Sequence, residues 1–255
     1  MNAATEEFRS AAAIAIDDLL EANPVSATSM GDHRFDDRLP DRTPGAVADL
    51  VVRLDDHLTR LDAVDDVELD TSDLVDLEIL RARITAMRFD LAEVRRQEWD
   101  PMTWNPATAM YLLTARDFAP AAERVESAAA RLEDVPGFLA DARSTLGEMS
   151  GIHCETAIAQ LQGFAGVVEQ VMSLADSCGM DVSDVAAPAN AAVDEHISWL
   201  VDQQPRAQRD PRLGVRLYSA AVWHNLDEEI APGEILEASK LLLTHMILQY
   251  HKTKS

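Results

Sequence analysis

The chain has 255 residues, of which 47% are hydrophobic, so it can bury a sizeable core and is not disordered by composition. Its 45 acidic residues against 22 Lys and Arg leave a formal net charge of −23, which disfavours binding to nucleic-acid phosphates or to an anionic membrane. Two cysteines, Cys154 and Cys178, are too few for a disulfide framework or a structural zinc site.

The N-terminal part of the chain predicts two amphipathic helices. Thr5 can cap a first helix that runs to about Glu21. Thr43-Pro44 combines a cap with proline at the first position of a second helix, in which apolar residues recur at three- and four-residue steps as far as Leu61.

A third helix, predicted from Ser72 to about Glu98, should pair with the second. Its apolar residues alternate between three- and four-residue steps, which is the pattern of a coiled-coil-like seam. Only the short polar segment 65–71 separates the two helices. We therefore predict a long antiparallel helix hairpin over about residues 44–98.

Helix signals continue to the C-terminal end of the chain. No run of alternating apolar and polar residues and no Asn-Gly turn indicates a strand. Further helices are predicted over residues 106–116, 119–133, 136–149, 153–177, 183–203, 211–229 and 232–250. The predicted fold class is therefore all-α, a multi-helix array without a sheet. We expect a single helical domain over residues 1–255, or alternatively subdomains at 1–180 and 181–255.

No motif for a metal, a nucleotide or a nucleophile is complete. The His-Glu-x-x-His spacing of a zinc peptidase and the Glu-x-x-His spacing of a di-iron bundle do not occur. His153-Cys154-Glu155 matches only half of a deaminase zinc site. His224 and Glu228 share a helix face and could hold a metal, or alternatively form a surface ion pair. We predict no catalytic residue, metal ligand or cofactor in this chain.

Residues 29–40 carry more charge than a connector between helices needs. The segment mixes both charge signs with a histidine and a phenylalanine. In one interpretation Asp32, His33 and Arg34 face a cleft and bind a ligand. In the other, the arginines of the segment pair with its own carboxylates or with helix ends.

An aromatic cluster around Asp100-Pro101 is the other candidate binding feature. Trp104 and Tyr111, with Trp99 beside them, could line a groove. Alternatively, these aromatic side chains anchor a junction between helices.

Several segments resemble one bacterial family, called domain of unknown function 885. Residues 27–40 are similar to its opening motif, and residues 76–80 and 99–101 to the elements that follow. Later similarities, in family order, are Arg212-Leu213-Gly214, Leu217-Tyr218, Leu226-Asp227 and residues 232–236. The resemblance therefore extends over nearly the whole chain.

The resemblance implies a mostly helical protein that looks like a zinc metallopeptidase. The family's His-Glu-x-x-His helix and its further glutamate ligand lie beyond the matched segments, so no residue here corresponds to a zinc ligand or general base. It implies that this chain is the N-terminal helical portion, that it forms part of a substrate-cleft wall, and that it is inactive alone. His33 or Arg34 would contact a peptide substrate, and zinc is expected only in the full-length protein.

The C-terminal residues differ in composition from the rest of the chain. All three lysines, Lys240, Lys252 and Lys254, fall within the last 16 residues. This ending fits a short out-of-frame tail or an artificial end-point. Alternatively, it is a normal helix end whose cations complement the helix dipole.

Three hypotheses about function and partners follow. The N-terminal portion of a peptidase would bind its missing C-terminal half, or self-associate through the apolar surface left exposed. A free-standing acidic helical binding or scaffold protein would use that surface for a partner. An enzyme working through carboxylates alone would need two acids with separated pKa values. Because no signal peptide or long apolar run is visible, we expect a cytoplasmic protein without nucleic-acid or membrane partners.

Overall fold

The computed structural model of the chain describes residues 2–226 together with residues 233, 234, 237, 239 and 240. In these residues the regular structure is helical and no strand forms, so the predicted all-α class is confirmed. The α-helices are α1 (Ala3–Ala22), α2 (Pro24–Met30), α3 (Pro44–Asp62), α4 (Thr71–Phe89), α5 (Ala107–Ala115), α6 (Ala121–Thr145), α7 (Gly151–Leu161), α8 (Phe164–Ser177), α9 (Ser183–Gln203) and α10 (Gly214–Leu226).

Helices α3 and α4 form the predicted antiparallel hairpin. The Thr43 side chain caps α3 by accepting a hydrogen bond from the Ala46 amide. Across the pair, Arg88 binds Asp55 and Arg81 binds Asp62, so later residues of α4 face earlier residues of α3. Apolar side chains of the pair form one buried cluster with Phe8 of α1: Leu54, Leu61, Leu77 and Ile84.

Two predicted helix ends are wrong. The side chain of Asn2, and not that of Thr5, caps α1, because Asn2 Oδ1 accepts the Thr5 amide at 2.8 Å. Helix α4 ends at Phe89, well before Glu98, and continues as a π-helical turn over Asp90–Val94. The chain then leaves the helix at Arg95, which has a left-handed φ of 56°.

Two further predictions on helix boundaries are also wrong. Residues 119–133 and 136–149 form one helix, α6, which continues through Pro136. A proline removes one helical hydrogen bond, but the buried face of α6 packs continuously against the core on both sides of it. Conversely, residues 153–177 divide into α7 and α8 at a tight turn in which the Gly163 amide binds Gln160 O. The sequence analysis did not predict α2.

Helices α5 to α9 build a second and larger core. Helix α9, predicted at the same residues 183–203, lies along α6, and both bury apolar faces in this cluster. The division of the chain into subdomains stays a prediction. In the described ranges, no helix is both long and apolar enough to cross a membrane.

The last predicted elements fall partly outside the described residues. The predicted helix 211–229 corresponds to α10, which begins at Gly214, and residues 227–229 lie outside the described residues. Most of the predicted helix 232–250 and the last two lysines lie outside the described residues as well. Lys240 lies within them, and its Nζ is 2.7 Å from Glu237 Oε1.

A histidine is buried where α9 meets α6. His196 is 0% exposed, and neither ring nitrogen has a hydrogen-bond partner among the described residues. Its ring stacks on Trp199 with the centroids 5.4 Å apart. Burial, with a smaller contribution from the nearby charge of Arg143, lowers the pKa of His196 from 6.5 to about 4.

Replacing this histidine should remove part of the acid sensitivity of the fold. Because its pKa is lower in the folded than in the unfolded chain, His196 favours unfolding as the pH falls from 6.5 to 4. Protonation of His196 should lower the free energy of unfolding by about 3 kcal/mol across that interval. In His196→Phe this decrease should be absent, as measured by urea unfolding at several pH values. If the free energy of unfolding depended on pH equally in the two proteins, this prediction would be contradicted.

Candidate functional site

A long apolar groove lies between α1 and α4. Its volume is about 1290 Å³, and its lining includes Phe8, Leu19 and Met87. Two further lining residues, Ile16 and Ile79, are 45% and 55% exposed. The groove is therefore an apolar surface in contact with solvent, which is typical of a binding site or an interface.

The groove exists because apolar side chains of α1 and α4 on this side have no covering neighbour among the described residues. Leu77, Leu80 and Ile84 pack against α3 and α1 and are buried. Ile79 of α4 and Ile16 of α1 line the groove and are about half exposed. A helix face that carries such apolar side chains is normally covered by a neighbour.

The charged segment after α2 reaches the groove through Met30 and Asp32, which both line it. Arg34 holds Asp32 through its guanidinium and its backbone amide, and these bonds lower the pKa of the Asp32 carboxyl. Arg34 Nη2 also lies 2.8 Å from Asp17 in α1. The ion pairs fix the segment against α1 at the rim of the groove.

A buried polar network holds the rest of this segment. The Asp36 carboxylate accepts a hydrogen bond from Thr28 Oγ1 and lies 2.8 Å from His33 Nδ1. The fully buried Arg131 of α6 donates to Thr28 Oγ1 and lies 3.8 Å from Asp36. Burial lowers the pKa of Arg131 to about 10, an effect that the charge of Asp36 opposes, so the guanidinium stays cationic at neutral pH.

Arg131 joins three parts of the chain. Besides Thr28, it donates hydrogen bonds to Arg38 O at 3.0 Å and to Ala109 O in α5 at 2.6 Å. No role was predicted for Arg131 from the sequence. The available signal was an arginine in the apolar stripe of α6, next to Leu132 and one turn after Ala128.

The structure separates the residues predicted to act together. Asp32 and Arg34 lie at the rim of the groove, whereas His33 stacks flat on Phe118, 3.7 Å between centroids, in the connection after α5. The predicted ion-paired corner forms in part: Arg34 binds Asp32, and Arg38 lies 3.0 Å from Glu21 and 3.5 Å from Asp37.

Neither candidate of the aromatic cluster lines this groove. Trp104 is fully buried, and its indole Nε1 donates to Gln97 O at 2.9 Å. In the same way Trp99 Nε1 donates to Val94 O, so both tryptophans bind carbonyls of the irregular turns after α4. Tyr111 lies on α5 with 52% of its surface exposed.

Among the described residues, no group of three or more His, Cys, Asp or Glu side chains lies close enough to hold a metal ion. His153 contacts Ser150 and the edge of Trp99, while Cys154 is buried in the core. The predicted pair of His224 and Glu228 cannot be placed in full, because Glu228 lies outside the described residues.

Comparisons with known proteins give one family and one solved structure. A family model described as "Bacterial protein of unknown function (DUF885)" matches residues 24–246. A Shewanella oneidensis protein described as a "putative lipoprotein of unknown function" has a similar fold, with a TM-score of 0.84 and 22% sequence identity. The match covers 92% of this chain but only 45% of that one. No curated protein matches the chain.

Removing the Arg131 guanidinium should destabilise the protein strongly. Arg131→Met leaves the buried Asp36 carboxylate without its cation, and we expect a loss of about 3–5 kcal/mol in the free energy of unfolding, measured with urea. Arg34→Met is the matched control, because Arg34 is exposed and its ion pairs should contribute at most about 1 kcal/mol. Equal losses in the two variants would contradict this role of Arg131.

Proposed function

Because the chain belongs to the DUF885 family of bacterial proteins, we propose that it is the helical N-terminal portion of a zinc-metallopeptidase-like protein. In that protein, the groove between α1 and α4 forms part of the wall of a cleft for a peptide substrate. The metal site belongs to the portion that follows in the chain. The N-terminal portion alone is therefore inactive.

The open groove is the observation that carries the proposal. It leaves apolar side chains of α1 and α4 without cover in a chain that spans 45% of the structurally similar protein. A partner surface from the rest of a longer chain would supply the missing neighbours of α4.

The chemistry of the groove suits a peptide better than a small charged ligand. Its apolar lining can take the apolar side chains of a substrate. Of the three carboxylates that line the groove, Asp32 and Asp73 are paired with Arg34 and Arg9, and Asp76 has no arginine partner among the described residues. The groove would therefore bind and orient a peptide, while its described residues and the sequence motifs offer no set of zinc ligands.

The alternative is a free-standing acidic helical protein that binds a partner through the same groove. Such a protein should stay monodisperse and unfold in one cooperative transition. An N-terminal portion without its other half should instead self-associate through the groove, and aspartate in place of Ile79 should prevent that. Light scattering over a range of protein concentrations separates the two hypotheses.

The coding DNA beyond the Ser255 codon provides the first test. Translated in all three frames, it should encode a His-Glu-x-x-His helix. The protein extended through that helix should bind roughly one zinc ion per molecule and hydrolyse peptides, whereas the present chain should do neither. If no such helix follows, the proposal fails and the binding-protein hypothesis replaces it.

In the extended protein, one pair of variants tests the role of the groove. Ile79→Asp should lower kcat/KM for an apolar peptide by about tenfold without changing the zinc content, because it places a charge where the substrate binds. Val52→Asp, at a similarly exposed position on α3 outside the groove, is the matched control. Equal effects of the two substitutions would exclude the groove from the cleft wall.

A further inference from the structure

A second, smaller pocket lies between α6 and the connection that precedes α3. Its volume is about 240 Å³, and it shares no lining residue with the groove. Asp41 and Arg42 line it on the side of the connection, and Asp134, Gly137, Phe138 and Asp141 line it on the side of α6. Trp104, one of the predicted binding residues, also lines this pocket. The pocket thus combines one cation, three carboxylates and two aromatic side chains. One of the carboxylates, Asp41, already accepts hydrogen bonds from the amide and the hydroxyl of Thr43.

The Arg42 side chain has no hydrogen bond or ion pair with any described residue. Its Nε is buried and lacks an acceptor. Burial lowers the pKa of Arg42, although the charge of Asp90 acts in the opposite direction. A guanidinium carries five N–H donors in a planar fork that matches a carboxylate, so Arg42 is a suitable receptor for one.

The two carboxylates on α6 are likewise without a cation among the described residues. Asp134 and Asp141 lie two helical turns apart, on the face that carries Phe138. The Leu39 amide binds Asp134, but burial and the charges of Glu133 and Asp37 raise the pKa of the Asp134 carboxyl. An ammonium group at this end of the pocket would relieve that repulsion.

Gly137 keeps space open between the charged groups. A Cβ atom built on this residue would meet nothing within 4 Å. Glycine inside a helix costs about 1 kcal/mol relative to alanine, and no close neighbour requires it at this position. The missing side chain leaves room beside Phe138, whose ring forms an apolar part of the wall.

We propose that this pocket binds a free α-amino acid with an apolar side chain. Its carboxylate binds Arg42, its ammonium group binds Asp134, and its side chain lies against Phe138 beside Gly137. A simple anion is disfavoured by the carboxylates, and a simple cation by the guanidinium. The pocket volume of about 240 Å³ leaves room for a compact ligand such as leucine.

Calorimetric titration of the present chain with L-leucine tests the proposal, with two ligands that each lack one charge. N-acetylleucine has no ammonium group and leucinamide has no carboxylate. We expect saturable binding of leucine at one site and at least about tenfold weaker binding of both analogues, a difference of about 1.4 kcal/mol each. No saturation by leucine up to about 10 mM, or equal binding of leucine and an analogue, would overturn the proposal.

Three variants separate a loss of the site from a loss of the fold. Gly137→Leu should abolish leucine binding and yet keep or raise the melting temperature, because it fills the pocket while improving helix propensity. Arg42→Met should abolish leucine binding as well. Arg60→Met, at an exposed arginine of α3 outside the pocket, should leave the binding unchanged. Leucine binding that survives Gly137→Leu would place the ligand elsewhere and overturn the assignment.

Discussion

The buried guanidinium of Arg131 is the contact on which the described arrangement depends. It extends from α6 into the segment between α2 and α3, where it meets Thr28, Asp36 and the carbonyl of Arg38. Residues just after Thr28 form the rim of the groove, and residues just after Arg38 form one side of the small pocket. One buried cation therefore positions a wall of each cavity. Its charge is compensated by one carboxylate and several carbonyl oxygens, which is the condition for a stable buried ion.

The groove and the small pocket differ in the kind of side chain that they leave without a partner. In the groove, apolar area is exposed while the neighbouring Asp32 and Asp73 are paired with arginines, so it favours a large apolar partner or a peptide. In the pocket, Arg42, Asp134 and Asp141 have no ion-pair partner among the described residues and the apolar area is small, so it favours a compact ligand with both charges. The two cavities share no lining residue, and occupancy of one does not require occupancy of the other.

Sequence patterns predicted those features that depend on near neighbours in the chain. The cap at Thr43, the α3–α4 pairing and the bounds of α9 follow from caps and apolar spacing, and the structure confirms them. The ion pair between Asp32 and Arg34 is also a contact between near neighbours in the chain, and it was predicted as one alternative. The resemblance placed the chain in its family, which the match over residues 24–246 confirms.

Features that depend on distant parts of the chain were missed. Helix α6 continues through Pro136 because its buried face packs without interruption in the larger core. The role of Arg131 depends on residues about 100 positions away, and the small pocket depends on α6 meeting the connection before α3. The helix propensity of a short segment contains no information about contacts between segments that are far apart in the sequence.

The long sequence separation of the Arg131 contacts has a consequence for the order of folding. The hairpin of α3 and α4 closes over a short connection, whereas the bonds from Arg131 to Thr28 and Arg38 close loops of 103 and 93 residues. Closing a long loop costs more entropy, and a chain made from its N-terminus contains Asp36 well before Arg131. During synthesis, Asp36 is therefore a hydrated surface carboxylate, which becomes a buried counter-ion only when α6 docks.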